Sequence, residues 1–161
     1  MSSFVLIDTN IWHFALVKPI EEPFREIHTL ASTFLSSVLS DPNIRVALSS
    51  YQVCEILEVL RRSGLSVDYR LKLLEDFEKG KFFIKPIDFT VVICAVKDSA
   101  KSNIHIYDYL VVYPLNKIVN RIYSADEHFR HPHFKRIAEI DNPLSPWIIT
   151  EGRRPTKTLP T

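Results

Sequence analysis

Four carboxylates in this chain stand where they could do chemistry. Asp8 follows the apolar run Phe4, Val5, Leu6, Ile7 and is followed by Thr9 and Asn10. Glu55 lies in "SSYQVCEIL", Asp108 in "IYDYLVV" and Asp126 in "IYSADEHF". Each has an ordinary explanation on its own. Asp8 can cap a helix, and the helix dipole favours Asp108 in a first turn. Asp126 can be a turn residue and Glu55 a solvated helix carboxylate. Gathered together, they repel: at about 4 Å and an effective dielectric of about 20, one pair costs roughly 4 kcal/mol. A protein keeps such a cluster by raising pKa values or by supplying a cation. Oxygen donors without a histidine or cysteine partner suit hard divalent ions, Mg2+ or Mn2+. Such an ion activates water and stabilises charge on a phosphoryl oxygen, so the natural reaction class is metal-dependent phosphodiester hydrolysis.

The elements that must position these acids follow from apolar spacing and from caps. Val5 to Ile7 predict a buried strand, and Asp8, Thr9 and Asn10 can each cap the helix after it. A helix is predicted over 22–39, on Leu30, Phe34, Leu35 and Val38, and a strand over 45–48. Ser49 and Gln52 stand at capping-box spacing, so a helix should start at Ser50, with Val53, Ile56, Leu57 and Leu60 inward. Ser66 to Glu78 predict another helix, Phe82 to Lys85 a third strand, and Asp88 opens a helix to Lys101 whose face is Val92, Ala95, Val96 and Ala100. A helix carrying Asp108 follows, kinked or shortened at Pro114, which lacks an N–H. Asn120 to Tyr123 predict a strand, a helical turn runs through Phe129, and Ile137 to Ile140 predict an edge strand. Residues 142–161, with four prolines and little periodicity, are expected to be a tail outside a domain spanning 1–141. Alternating strands and helices imply an α/β fold with a parallel sheet covered on both faces. The functional crevice of such a sheet lies beyond the carboxyl ends of its strands. All four acids are expected at that end.

The bulk composition agrees with one globular domain. Hydrophobic residues make up 46% and charged residues 24%, and no apolar run is long enough for a membrane span. No secretory signal pattern stands at the N-terminus. Cys54 and Cys94 lie within apolar helical patterns, which predicts buried thiols and a cytoplasmic setting. The net charge of +1 neither demands nor excludes a nucleic-acid partner.

In order, "VLIDTNIW", Glu55 in "YQVCEIL", Asp108 in "IYDYLVV" and "IYSADEHF" resemble the four motifs of the PIN domain family. The resemblance runs from Phe4 to about Ile140, and the ordered set of four is more specific than any one motif. It implies a three-layer α/β/α domain and a Mg2+- or Mn2+-dependent ribonuclease, often the toxin of a VapBC toxin–antitoxin pair. By position it implies that Asp8, Glu55, Asp108 and Asp126 are the acidic site residues, with Thr9, Asn10 and Ser124 supporting them. Asp8 would be the central metal ligand, with Asp108 and Asp126 assisting, and Glu55 would ligate the metal or position the attacking water. An RNA substrate, an antitoxin partner and a homodimer follow from the same resemblance. The apolar surface of that dimer would come from helices 22–39 or 66–78. The chain departs from the family at Tyr113 and Pro114, where a small residue is common.

Several assignments have competitors. Glu58 shares the outward face with Glu55, Glu127 adjoins Asp126, and Asp98 falls late in its helix. His128, His131 and His133 lack cysteines and a second ligand pair at zinc spacing, which argues against structural zinc. Arg61 with Arg62, Lys79 with Lys81, Arg130 with Lys135 and Arg136, and Arg153, Arg154 and Lys157 are candidate phosphate contacts or plain solvated faces. A PIN-like fold without catalysis, acting as an RNA-binding or assembly module, is the competing function. A phosphotransfer fold with an aspartate after its first strand is disfavoured, because Asn10 stands where the dehalogenase-like pattern has a second Asp.

Overall fold

The computed structural model describes residues 3–158. Five strands, β1 (Ser3–Ile7), β2 (Ile44–Ser49), β3 (Phe82–Lys85), β4 (Arg121–Tyr123) and β5 (Glu139–Asp141), form one sheet in the order β3-β2-β1-β4-β5, all parallel. The register pairs Val5 with Val46 on one side and with Arg121 on the other, so β1 is the central strand. Its residues alternate between two cores. Val5 and Ile7 face one layer and Leu6 the other, as strand pleating requires. A strand buried on both faces reads as an unbroken apolar run, which is the origin of "FVLI".

The helices divide between the two faces. α1 (Thr9–Leu16), α2 (Arg25–Ser40), α3 (Ser50–Arg62) and α4 (Val67–Lys79) contribute Ile11, Trp12, Leu35, Ile56, Leu60 and Phe77 to the first core. α5 (Phe89–Ser102), α6 (Ile106–Val112) and α7 (Pro132–Lys135) contribute Ala95, Tyr109, Val112 and Phe134 to the second. The result is the expected three-layer α/β/α fold with a central parallel sheet. Helix starts follow the caps in the sequence: Ser49, Ser66 and Asp88 accept hydrogen bonds from the Gln52, Tyr69 and Val91 amides at 3.1, 3.1 and 2.9 Å. Past Val112 the chain tightens into a 3₁₀ turn, Tyr113–Leu115, where Pro114 was expected to end the helix.

Three expectations are corrected. The face of α5 is narrower than its apolar residues suggest. Ala95 is fully buried, but Val96 is 51% exposed, because α5 meets the body of the protein along one edge. Cys54 and Cys94 are both exposed, on the outward sides of α3 and α5.

The segment after 142 belongs to the core. Leu144, Trp147, Ile148 and Ile149 are buried, and β6 (Trp147–Ile148) pairs antiparallel with β7 (Thr156–Lys157). Trp147 meets Phe24 edge to face at 5.9 Å, and the Ile149 amide donates to the Ala125 carbonyl at 2.9 Å. Ion pairs Arg154–Glu21 at 2.7 Å and Lys157–Glu26 at 3.0 Å fasten its far side. Prolines and short strands hide this packing from periodicity. Trp147→Ala should therefore lower the free energy of unfolding by about 3 kcal/mol. Urea denaturation measures this, and a loss below about 1 kcal/mol would make the segment peripheral after all.

Candidate active site

The site is built where β1 and β4 end side by side. The Asp8 amide donates to the Tyr123 carbonyl at 2.9 Å, which holds the exits of the two strands together. Beyond those exits the Asp8 carboxylate has both oxygens engaged. Oδ1 accepts from the Thr9 amide at 2.8 Å and caps α1, and Oδ2 accepts from the Ser124 hydroxyl at 2.8 Å. The same hydroxyl oxygen accepts from the Asp126 amide at 3.0 Å. One serine side chain thus ties the first acid to the backbone of the last. The capping role and the site role of Asp8 coexist, because they use different oxygens.

α3 is tied in by an unpredicted contact. Gln52 does not complete a capping box. Its side-chain Nε2 donates instead to the Ile7 carbonyl at 2.6 Å, bringing the first turns of α3 against the end of β1. Glu55, on the next turn, then faces the cleft. Its Oε1 accepts from the Thr9 hydroxyl, and its Oε2 from the Tyr51 hydroxyl at 3.0 Å. Glu58, the competing acid, is exposed and paired with Arg61 at 2.6 Å. Asp98, the competitor of Asp108, lies away from this cleft and binds the Tyr113 hydroxyl and Arg136. The turn at Tyr113 and Pro114 comes after Asp108, and neither residue lines the cleft.

The open cleft, about 340 Å³, is lined by Asp8, Glu55, Asp108 and Asp126 together with Thr9 and Asn10. Asp8, Asp108, Asp126 and Ser124 are all buried. Removing charged groups from water disfavours their ionised forms. Burial, followed by the charges of Asp126 and Asp108, raises the Asp8 pKa well above the carboxylate range, against the lowering effect of Ser124. Burial, then Asp126 and Glu55, pushes Asp108 up to about 8. Asp126 is also raised by burial, although the His128 amide and imidazole favour its charge.

The sequence raised His128 only as a candidate for structural zinc and singled out neither His105 nor Glu151. His128 Nδ1 lies 2.9 Å from Asp108 Oδ2 and 3.8 Å from Asp126 Oδ1. His105 Nε2 lies 3.4 Å from Asp108 Oδ2 and 2.9 Å from Glu151 Oε2. Nitrogen thus stands beside carboxylates that were expected to form an oxygen-only donor set. His105 is visible in the sequence only as a residue at the start of α6, and Glu151 lies in the supposed tail. His131 and His133 stay out of the cleft; His133 Nδ1 meets the Tyr109 hydroxyl at 2.8 Å.

Oxygens from buried acids and nitrogens from half-buried histidines converge in a donor set that fits a divalent cation. Asp108, Asp126 and His128 each present a donor atom within 4.8 Å of the others, as do His105, His128 and Glu151. Asp8 falls in neither group, so it shares the cleft without joining the tightest donor cluster. With divalent ions chelated, the folded chain holds protons that the unfolded chain, with Asp near 3.9, has released. The stability this gives is present at low pH and lost as pH rises toward about 8. Asp108→Asn should accordingly raise the unfolding free energy at pH 8 by about 2 kcal/mol and change it little at pH 5. Chelated samples unfolded in urea at both pH values test this, and equal effects at the two pH values would contradict it.

No family model matches the chain, and no curated protein does. Among solved structures, it is similar to a chain in the crystal structure of VapBC2 from Rickettsia felis bound to a DNA fragment from their promoter. The identity is 16% and the TM-score 0.54, over 86% of this chain and 98% of that one. The similarity is one of fold, the PIN-like α/β/α arrangement with its central parallel sheet.

Proposed function

We propose that this chain is a metal-dependent endoribonuclease that hydrolyses RNA phosphodiester bonds with Mg2+ or Mn2+. The observation that carries this reading is the convergence of Asp8, Glu55, Asp108 and Asp126, from four separate elements, on one cleft at the carboxyl edge of the sheet. Asp108 and Asp126 would hold the ion, with Asp8 in the same cleft as the third ligand. When bound, the ion supplies an activated water and neutralises charge on the scissile phosphate. Glu55 takes up the proton of the attacking water. Its two oxygens are fixed by Thr9 and Tyr51, which orients the remaining lone pairs into the cleft. Ser124 fixes the rotamer of Asp8, and Asn10 lines the wall beside it. Arg62 and Arg153 on the rim attract the flanking phosphates. Because water attacks in place of the ribose 2′-hydroxyl, the products carry a 5′-phosphate and a 3′-hydroxyl.

The wider setting belongs to the same proposal: the toxin of a VapBC-type pair, cytoplasmic, with an antitoxin partner and a homodimeric state. Support for a protein interface comes from α4, where Val67, Leu71 and Leu74 are exposed. Among the described residues no helix is long and apolar enough to cross a membrane.

Cleavage of an RNA oligonucleotide by the full chain tests the activity. It should need Mg2+ or Mn2+, stop with chelator, and fall about a hundredfold or more in Asp8→Asn, which keeps the fold. If the wild type binds RNA but cleaves none with either ion, the noncatalytic RNA-binding module takes its place.

A further inference from the structure

We infer that His128 is a metal ligand through Nδ1, alongside Asp108 and Asp126, and that the centre consequently selects Mn2+ over Mg2+. The inference rests on the metal-dependent reading above but goes past its ion class.

The position of His128 is determined by Asp126. Asp126 Oδ1 accepts from the His128 amide at 2.9 Å and caps the 3₁₀ turn Glu127–Arg130. That turn carries the imidazole across to α6, where Nδ1 stands 2.9 Å from Asp108 Oδ2. The ring therefore spans the two acids, and its distances of 2.9 and 3.8 Å to their oxygens match the spacing of donors around one ion. Donors held about 2.1 Å from a six-coordinate ion lie about 3 to 4 Å apart. Three donors thus come from two elements whose positions the sheet already sets.

His105 is the natural rival, since it also approaches Asp108. Its Nδ1 is buried without a hydrogen-bond partner among the described residues. Ligating histidines have the far nitrogen held by a carboxylate, carbonyl or water, which fixes the tautomer that points a lone pair at the ion. Half-buried His128 has its far edge near solvent, where water can serve that role. His105 lines the cleft wall instead, where its Nε2 pairs more closely with Glu151, at 2.9 Å, than with Asp108, at 3.4 Å.

Imidazole nitrogen is a donor that transition ions accept readily and Mg2+ avoids in favour of oxygen. A centre with one nitrogen in its nearest shell therefore separates two ions that an all-carboxylate centre binds more alike. Among the described residues, Glu58 and Asp98 belong to neither group of converging donors, so the selectivity belongs to this cleft.

Metal-free full-length protein titrated with MnCl2 and separately with MgCl2 gives the two affinities, by calorimetry or by thermal shift. Mn2+ should bind at least about tenfold tighter in the wild type, and His128→Ala should lose most of that difference. Pulsed paramagnetic resonance of the Mn2+-loaded wild type should show coupling to a nitrogen nucleus. His105→Ala should keep that coupling and His128→Ala should lack it. Should His128→Ala misfold, the His105→Ala spectrum decides, since coupling that persists there leaves His128 as the nitrogen ligand. An oxygen-only spectrum, or coupling that disappears with His105 instead, overturns the ligand assignment while leaving the metal centre in place. A wild type that binds neither ion overturns this inference and the metal-dependent function together.

Discussion

The constraint on which the rest of this structure depends is the burial of Asp8, Asp108 and Asp126 around one cleft. Three carboxylates taken out of water cannot all ionise without a compensating charge. Burial and mutual repulsion push their pKa values upward, that of Asp108 to about 8. Yet the neighbouring hydroxyls and amides are arranged for the charged forms. Ser124 donates to Asp8 and the His128 amide donates to Asp126. Donors aimed at carboxylates whose pKa values are nevertheless raised indicate a site laid out for a positive charge.

The fold meets this constraint through its topology. In an all-parallel sheet every strand leaves at the same edge, so chain segments far apart in sequence arrive together. Ser124 and Asp8 are separated by 116 residues and joined by one hydrogen bond. Gln52 does the same for α3 by reaching the Ile7 carbonyl. Two backbone groups left free at the exit of β1 are used here, the Ile7 carbonyl by Gln52 and the Asp8 amide by the Tyr123 carbonyl. The site is thus held by the same backbone positions that terminate the sheet.

How much of this was legible in the sequence differs by residue. The sheet and its order of strands and helices followed from apolar runs, and the caps at Ser49, Ser66 and Asp88 from residue type, because these signals are local. The convergence of the four acids was legible only as a consequence of parallel topology. His105 and Glu151 were not legible, and His128 was weighed only for zinc, since nothing in local spacing relates the start of α6 to a turn after β4 or to a segment past β6. The packing of Trp147 and Ile149 was hidden for a related reason. Two-residue strands carry no periodicity, and their burial depends on partners more than a hundred residues away, such as Phe24.

The hidden part changes what the cleft is. Its floor consists of residues in apolar-flanked motifs, held to the sheet by Ser124 and Gln52. Its wall is set by the segment from Ile149 to Pro155, which brings Glu151 and Arg153 to the rim and is fastened through Arg154 and Lys157 to the start of α2. An acid and a base on that wall act differently on an anionic strand. On the proposed RNA substrate Arg153 would draw phosphates toward the rim, while Glu151, paired with His105, sets an opposite charge on the same wall. Floor and wall therefore have separate origins: the sheet edge sets where the four acids meet, and the last folded segment sets the charges that surround them.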